Sequence, residues 1–263
     1  SLSHNQAILP GPSLNQKIST AMLLLRFDQK ILVYDLKRAF LQLEIPYEDS
    51  IRLAFLWFNN VKENDYSICG YMTRRLMFGL RCSPAILMLA LYKILVIDVE
   101  GNSSEMIVFK SSLFNLLYVD NGGITGDTTE HLLWAYNQLK NVFGPYGFET
   151  QQYVTNDQEV QRHIDDLNNV ETEPKQKLLG FMWDTVNDTI GTKKIFLDPN
   201  ASTKRTVLQT VAKHYDVYNI CAPLLNRARI FLHSLQTNND LDWDTKLSEE
   251  QLKNWKLICK QVN

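Results

Sequence analysis

An apolar strand that ends in an aspartate is the feature that most constrains how this 263-residue sequence folds. The run Lys30–Tyr34 is almost wholly apolar, which is typical of a buried strand, and Asp35 follows it directly. A carboxylate at the end of a buried strand is held rigidly by the sheet beneath it. Most aspartates in this position serve as caps or turn residues, so Asp35 indicates a functional site only if a second carboxylate lies near it.

A second aspartate, Asp120, follows another apolar run, Leu113–Val119, which we interpret as a strand. The dipeptide Asn121-Gly122 comes next and favours a tight hairpin turn, because both residues tolerate positive φ. We therefore expect the chain to return as a strand from Ile124. Asp35 and Asp120 would then lie at the ends of two neighbouring strands.

Helical and strand patterns alternate through the first two hundred residues. A serine and a proline favour a helix start at Ser83, and this helix is expected to reach about Asp98. Glu130–Phe143 is typical of an amphipathic helix, and short strands are expected at Leu178–Trp183 and Lys194–Leu197. This mixture predicts an α+β fold for the first part of the chain.

The last sixty-odd residues predict helices alone. Thr203 is a candidate N-cap, Pro223 favours the start of a second helix, and Ser248 begins a capping box for a third. We therefore predict two domains, 1–197 with an α+β fold and 198–263 with helices only.

The charge balance argues against a strongly basic nucleic-acid-binding domain. Lysine and arginine number 27 against 29 acidic residues, and the isoelectric point is about 6.2. Residues 157–173 are locally acidic, whereas residues 202–232 are locally basic. We predict that a basic stripe in the second segment contacts phosphates, although a solvated surface explains it as well. The stripe consists of Lys204, Arg205, Arg227 and Arg229.

Several other classes of protein are not indicated. The longest apolar stretch, Ala85–Val99, is interrupted by Lys93 and is too short to cross a bilayer. No secretory signal is visible, and the four cysteines lie far apart. We expect an intracellular protein without a membrane partner, and the sequence does not distinguish nucleus from cytoplasm.

The order of the motifs resembles a reverse transcriptase, and in detail that of BEL/Pao-type LTR retrotransposons. The similarity covers nearly the whole chain. It implies a polymerase palm, built as an antiparallel sheet with helices on one face, with partial fingers and an all-helical thumb. The motifs that carry it are Asp35–Phe40, Arg75–Pro84, Tyr118–Asn121, Leu178–Trp183 and the segments after Thr203.

This resemblance implies roles for individual residues. Asp35 and Asp120 would ligate Mg²⁺ or Mn²⁺, assisted by the carbonyl of Leu36. Phe40 would be the steric gate that excludes a ribose 2′-hydroxyl. Phe78 and Gly79 would contact the incoming nucleotide, although each also suits a purely structural role.

The sequence departs from the family pattern at the centre of the predicted site. Asn121 stands where the family has a second aspartate, which removes one negative charge beside the metals. Opposite charges about 4 Å apart attract by roughly 1 to 4 kcal/mol, so a large loss of activity is expected. Gln151 and Gln152 occupy a segment where the family usually carries basic residues, and a glutamine cannot donate a proton to pyrophosphate.

Two functions therefore remain open. The departures favour a catalytically impaired or dead module that binds a protein partner, a host complex or nucleic acid, and that needs no metal. The alternative is an active RNA-directed DNA polymerase that binds an RNA or DNA template-primer. An unrelated α+β protein would require several ordered coincidences. The sequence does not predict an oligomeric state.

Overall fold

A computed structural model describes residues 3–63, 65–98, 103–237 and 241–263. The chain forms two compact units, Ser1–Thr172 and Glu173–Asn263, and combines helices with short antiparallel sheets. The division predicted at residue 198 lies within the second of these units, and it stays a prediction.

The first unit contains eight of the described helices and five of the described strands. They are α1 (His4–Ala7), α2 (Ile18–Leu24), β1 (Lys30–Leu36), α3 (Ala39–Gln42), α4 (Tyr47–Ser50), β2 (Ala54–Asn60), β3 (Asp65–Met72), α5 (Ser83–Tyr92), α6 (Ser104–Leu116), β4 (Asn121–Gly126), α7 (Thr129–Phe143), β5 (Thr150–Thr155) and α8 (Gln158–Asn168).

The second unit contains three of the described strands and three of the described α-helices. They are β6 (Lys175–Leu178), β7 (Phe181–Asp184), β8 (Thr189–Gly191), α9 (Lys204–Ala212), α10 (Ala222–Thr237) and α11 (Glu249–Val262). In the part of the chain that the structure describes, none of the helices has the length and apolar character needed to cross a membrane.

The predicted strand ending at Asp35 is confirmed and lies at the centre of an antiparallel sheet, β4-β1-β5. Because side chains alternate along a strand, Leu32, Tyr34 and Leu36 share one face and belong to the main core. Asp35 lies on the opposite face and is half-buried. The core residues of β1 therefore anchor the strand that carries the carboxylate.

The predicted strand Leu113–Val119 is wrong, because most of it belongs to α6. The Ser103 side chain caps this helix by accepting a hydrogen bond from the Met106 backbone N–H. Phe109, Leu113 and Leu116 are buried at a helical spacing of three to four residues. A short apolar run fits either structure by its pattern alone, and here the capping serine and the helical spacing accompany the helix.

A two-stranded antiparallel ribbon, β2–β3, was not expected from the sequence. Residues 54–60 and 66–72 contain no charged side chain, and the apolar residues occupy both faces rather than alternating with polar ones. Leu56 and Trp57 are 72% and 61% exposed. An isolated two-stranded ribbon is marginally stable in water, and exposed apolar surface of this kind is uncommon on a monomeric protein.

The second unit confirms its predicted helix caps and corrects two predicted strands. Thr203 and Ser248 cap α9 and α11 as expected. Leu178–Trp183 is not one strand, because Leu179 and Gly180 form a turn with positive φ between β6 and β7. The predicted strand Lys194–Leu197 is also wrong: the backbone N–H and C=O of Leu197 bond instead to the side chain of Asn263.

Candidate two-carboxylate site

A tight turn between α6 and β4 presents Asp120. Tyr118 and Asn121 exchange two backbone hydrogen bonds of 2.7 and 3.1 Å, which leaves Val119 and Asp120 at the tip. The predicted turn centred on Asn121-Gly122 is therefore wrong, since both residues already belong to β4. Asn121 pairs with Asp35 across the sheet. Asp120 therefore lies beside the end of β1, but it follows a helix rather than the predicted strand, and the turn comes two residues earlier than predicted.

Gly122 is required by the packing of Tyr34 rather than by a turn. A Cβ atom at Gly122 would lie 2.2 Å from Cζ of Tyr34, the residue opposite it in the sheet. Burial raises the pKa of the Tyr34 phenol far above its ordinary value. Its hydroxyl is buried and has no hydrogen-bond partner among the described residues. The Tyr34 ring thus occupies the space that a side chain at position 122 would need.

The turn stores backbone strain at Val119. This β-branched residue has a φ of 60°, a left-handed conformation that costs of order 1–3 kcal/mol. The Asp120 carbonyl accepts a hydrogen bond of 2.7 Å from the Leu36 N–H, and the Val119 N–H donates to Oδ1 of Asn15 at 3.4 Å. The first bond holds the strained turn against the end of β1, and the second connects it to the segment before α2.

Each of the two carboxylates accepts a hydrogen bond from an amide side chain. Asn121 Nδ2 donates to Asp120 Oδ1 at 3.0 Å, and Gln151 Nε2 donates to Asp35 Oδ2 at 2.8 Å. Gln151 lies directly opposite Asp35 on β5. Sequence reasoning singled out Gln151 as the loss of a basic group, but it did not identify it as the partner of Asp35.

A β-bulge sets the position of Gln151. The register of β1 against β5 shifts so that Gln152 and Tyr153 together oppose the single residue Tyr34. Gln152 has a φ of 51°, which is typical of the irregular backbone at a bulge. Positive φ at a non-glycine residue is uncommon, and here it occurs within two residues of Asp35's partner.

The electrostatics of the site disfavour two free negative charges. Burial raises the pKa of Asp120, and the negative charge of Asp35 raises it further. The hydrogen bond from Asn121 acts in the opposite direction and is too weak to cancel the increase. The Asn121 amide therefore partly stabilises the charged form of Asp120, which burial and the nearby Asp35 disfavour.

The side chains around the turn include two carboxylates that could serve as ligands for a divalent cation. Asp35 and Asp120 offer hard carboxylate oxygens, but Asn121 adds only a neutral amide oxygen. Among the residues that the structure describes, no group of three or more histidine, cysteine, aspartate or glutamate side chains is placed to hold a metal. One cation between two carboxylates is compatible with this arrangement.

The predicted nucleotide-contacting residues lie on two adjacent segments. Phe40 on α3 packs edge-on against Phe78, with ring centroids 6.2 Å apart. Phe78 is 68% exposed and precedes Gly79, whose φ of 91° suits glycine. The backbone N–H of Leu36 is engaged by the Asp120 carbonyl. The structure thus brings Phe40 and Phe78 together, and their roles stay predictions.

The predicted phosphate-contacting residues differ in their surroundings. Lys204 is buried, and its Nζ lies 3.4 Å from the Leu241 carbonyl and 5.0 Å from the ring centroid of Trp243. Arg205 makes two bonds of 2.7 and 2.9 Å to the Asp244 carboxylate. Two members of the stripe are therefore engaged within the protein.

The other two basic residues lie on α10. Arg227 is exposed and bonds to the side-chain carbonyl of Gln261, and Arg229 is half-buried. They lie two positions apart on the helix and so point to different sides of it. Phosphate binding by this set stays a prediction.

Residues 203–263 match the family model described as the Pao retrotransposon-like RNaseH-like domain. The match covers the segment that the sequence predicts to be the thumb. No match was found among curated protein sequences.

Three solved structures of foamy viral protease-reverse transcriptase are similar in fold. The complex with an RNA/DNA hybrid has a TM-score of 0.56 at 15% identity, covering 95% of this chain and 29% of that one. The complex of its dRH form with double-stranded DNA has a TM-score of 0.59 at 14% identity, and the match covers 98% of this chain and 39% of that one. A further complex with double-stranded DNA has a TM-score of 0.58 at 16% identity, and the match covers 98% of this chain and 46% of that one. The chain thus spans less than half the length of these proteins.

Proposed function

We propose that the chain is a reverse-transcriptase-like module of retroelement origin with an impaired or dead catalytic site, retained as a scaffold that binds protein or nucleic acid. The observation that supports this most directly is the amide at Asn121. Its N–H group donates to Asp120. A divalent cation would need that carboxylate oxygen, and the amide offers no charge in exchange.

Gln151 supports the same conclusion at the second carboxylate. Its amide occupies one oxygen of Asp35 at 2.8 Å. Each aspartate thus has one carboxylate oxygen that accepts a hydrogen bond from an amide, and a metal would have to compete for that oxygen. Such a site is expected to be stable and to bind cations weakly.

If a Mg²⁺ or Mn²⁺ ion binds, Asp35 and Asp120 would hold it, with the Leu36 carbonyl as a third ligand. The ion would supply charge neutralisation for phosphoryl transfer. The protein's own contribution is to hold the two carboxylates in place through the β1–β4 pairing. Asn121 and Gln151 would have to release one oxygen each.

Nucleic acid is one partner that the scaffold can take. The similar foamy viral proteins are described in complex with an RNA/DNA hybrid and with double-stranded DNA. A protein partner is the other, and the ribbon β2–β3 supports it, because neither strand contains a basic residue and apolar surface without basic residues does not attract phosphates. Binding through Lys204, Arg205, Arg227 and Arg229 would weaken steeply with salt, whereas binding through the ribbon would not.

An active polymerase is the second candidate, because Asp35, Asp120 and Phe40 are all retained. Primer extension on RNA and DNA templates, with Mg²⁺ and with Mn²⁺, separates the two. We expect no extension by the unmodified chain. Extension that is lost in Asp35→Ala would establish an active enzyme and refute the proposal.

Asn121→Asp extends this experiment. Extension by this variant alone would identify Asn121 as the sole lesion. If it also fails, further changes such as Gln151 have removed activity, and the function must be sought in binding.

A further inference from the structure

The segment 3–15 contacts the two loops that hold the predicted site residues. It includes α1 and then an extended stretch that reaches α2. It meets the loop that contains Gly79, the first turn of α5, and the turn that contains Asp120. Three separate contacts within one unit make this segment a physical link between the loops.

At its first contact, Asn5 binds the loop through three hydrogen bonds. Its Nδ2 donates to the Gly79 carbonyl at 2.7 Å, and its Oδ1 accepts from the Arg81 N–H at 3.1 Å. The Arg81 guanidinium donates to the Asn5 carbonyl at 3.3 Å. One side chain thus satisfies a donor and an acceptor of the same loop, which fixes the backbone around Gly79.

In its middle, the segment packs closely on α5. A Cβ at Gly11 would lie 2.6 Å from Cβ of Ala85, and Gly11 has a φ of 74°. Only a glycine at position 11 therefore allows the backbone to approach α5 this closely. This contact fixes the middle of the segment against the first turn of α5.

At its far end, Asn15 accepts the hydrogen bond from the strained Val119. The Val119 N–H points away from the sheet pairing, and its bond to Asn15 is the contact that the turn makes with this segment. Asp120 is the next residue, so any movement of Val119 moves the carboxylate.

We propose that segment 3–15 is a positioning strap, in which Asn5 and Asn15 hold the Gly79 loop and the Asp120 turn in a fixed relation. This rests on the proposed function, which makes the two loops one site. The strap supplies no group to a reaction. Its effect is to limit the relative movement of the loops.

Amide hydrogen exchange of the whole chain tests the strap without requiring activity. Asn5→Ala should speed exchange of the Arg81 amide about threefold to tenfold, since one hydrogen bond is lost. The same variant should also speed exchange at Val119, and Asn15→Ala should speed exchange at Arg81. Gln6→Ala is the matched control, because the Gln6 side chain accepts its hydrogen bond from the Ser3 N–H within the same segment.

The crossed effects, of Asn5→Ala at Val119 and of Asn15→Ala at Arg81, decide whether the strap exists. If each variant changes only its own loop, or neither loop, the contacts are local and the strap is refuted. Titration with Mn²⁺ on the same variants keeps the proposed function separate. Crossed exchange effects together with tight Mn²⁺ binding would support the strap and contradict the impaired site of the proposed function, so the two can fail separately.

Discussion

Asn121→Asp tests the electrostatic account of the site in a single substitution. The Asn121 amide lies 3.0 Å from the Asp120 carboxylate, so the variant places a second negative charge in contact with the first. Like charges about 4 Å apart repel by roughly 1 to 4 kcal/mol between bulk water and a protein surface. We expect the free energy of unfolding at pH 7 to fall by about 1–3 kcal/mol.

The pH dependence of this loss has a definite sign. Burial and the charge of Asp35 already raise the pKa of Asp120, so its ionisation costs stability as the pH rises above about 4. A second carboxylate increases that cost. The difference between the variant and the unmodified chain should therefore be largest at pH 7 and shrink below about pH 4.

Urea denaturation at pH 7 and at pH 4, with and without millimolar Mg²⁺, measures these effects. A loss of about 2 kcal/mol lowers the urea midpoint by about 1 M. Mg²⁺ should restore stability to the variant by mass action, because the added charge strengthens cation binding. Equal stability of the two chains at pH 7 would refute the electrostatic reasoning, and so would a loss that neither pH nor Mg²⁺ changes.

A matched control is available at Asn187. Its side chain donates to the Asp184 carboxylate at 3.1 Å in an exposed turn, which repeats the amide-to-carboxylate contact without a facing strand. Asn187→Asp should cost less stability than Asn121→Asp. Mg²⁺ should not restore it.

Three further predictions concern the support of the site. Tyr34→Phe removes a buried hydroxyl that has no hydrogen-bond partner among the described residues. Urea denaturation should therefore show a free energy of unfolding that is unchanged or raised by about 1 kcal/mol, and a clear loss would mean that the hydroxyl has a hydrogen-bond partner. Gly122→Ala should cost about 1–3 kcal/mol, whereas Gly191→Ala, with nothing within 4 Å, should not. Burial tends to raise the pKa of Asp157, but hydrogen bonds led by Lys30 lower it to about 2, so Asp157→Asn should cost about 2 kcal/mol at pH 7. Thermal unfolding should show this cost fading as the pH falls from about 4 towards 2.

Local signals in the sequence predicted those elements that local interactions determine. The strand at Asp35 has a continuous apolar run, and Thr203 and Ser248 are helix caps whose partners lie three residues away. These features need no knowledge of the rest of the chain. Their predictions were confirmed for that reason.

The partners of the carboxylates could not be predicted in the same way. Gln151 reaches Asp35 only because β5 pairs with β1 in a register that a bulge displaces by one residue. Strand register is a tertiary property, and a shift of one position would turn Gln151 to the other face. The ribbon β2–β3 was missed because it lacks the alternation by which half-buried strands are recognised.

The packing of Tyr34 against Gly122 also determines how the protein ages. Position 122 admits no side chain, so Asn121 is always followed by glycine, the residue that least hinders attack of its backbone nitrogen on an asparagine amide. That attack expels ammonia through a succinimide, and water then leaves aspartate or isoaspartate at position 121. Pairing of β4 with β1 restrains the backbone and slows the reaction, and each opening of the strand permits it. The charge at position 121 therefore changes as a preparation ages, and the intact mass records how far the conversion has gone.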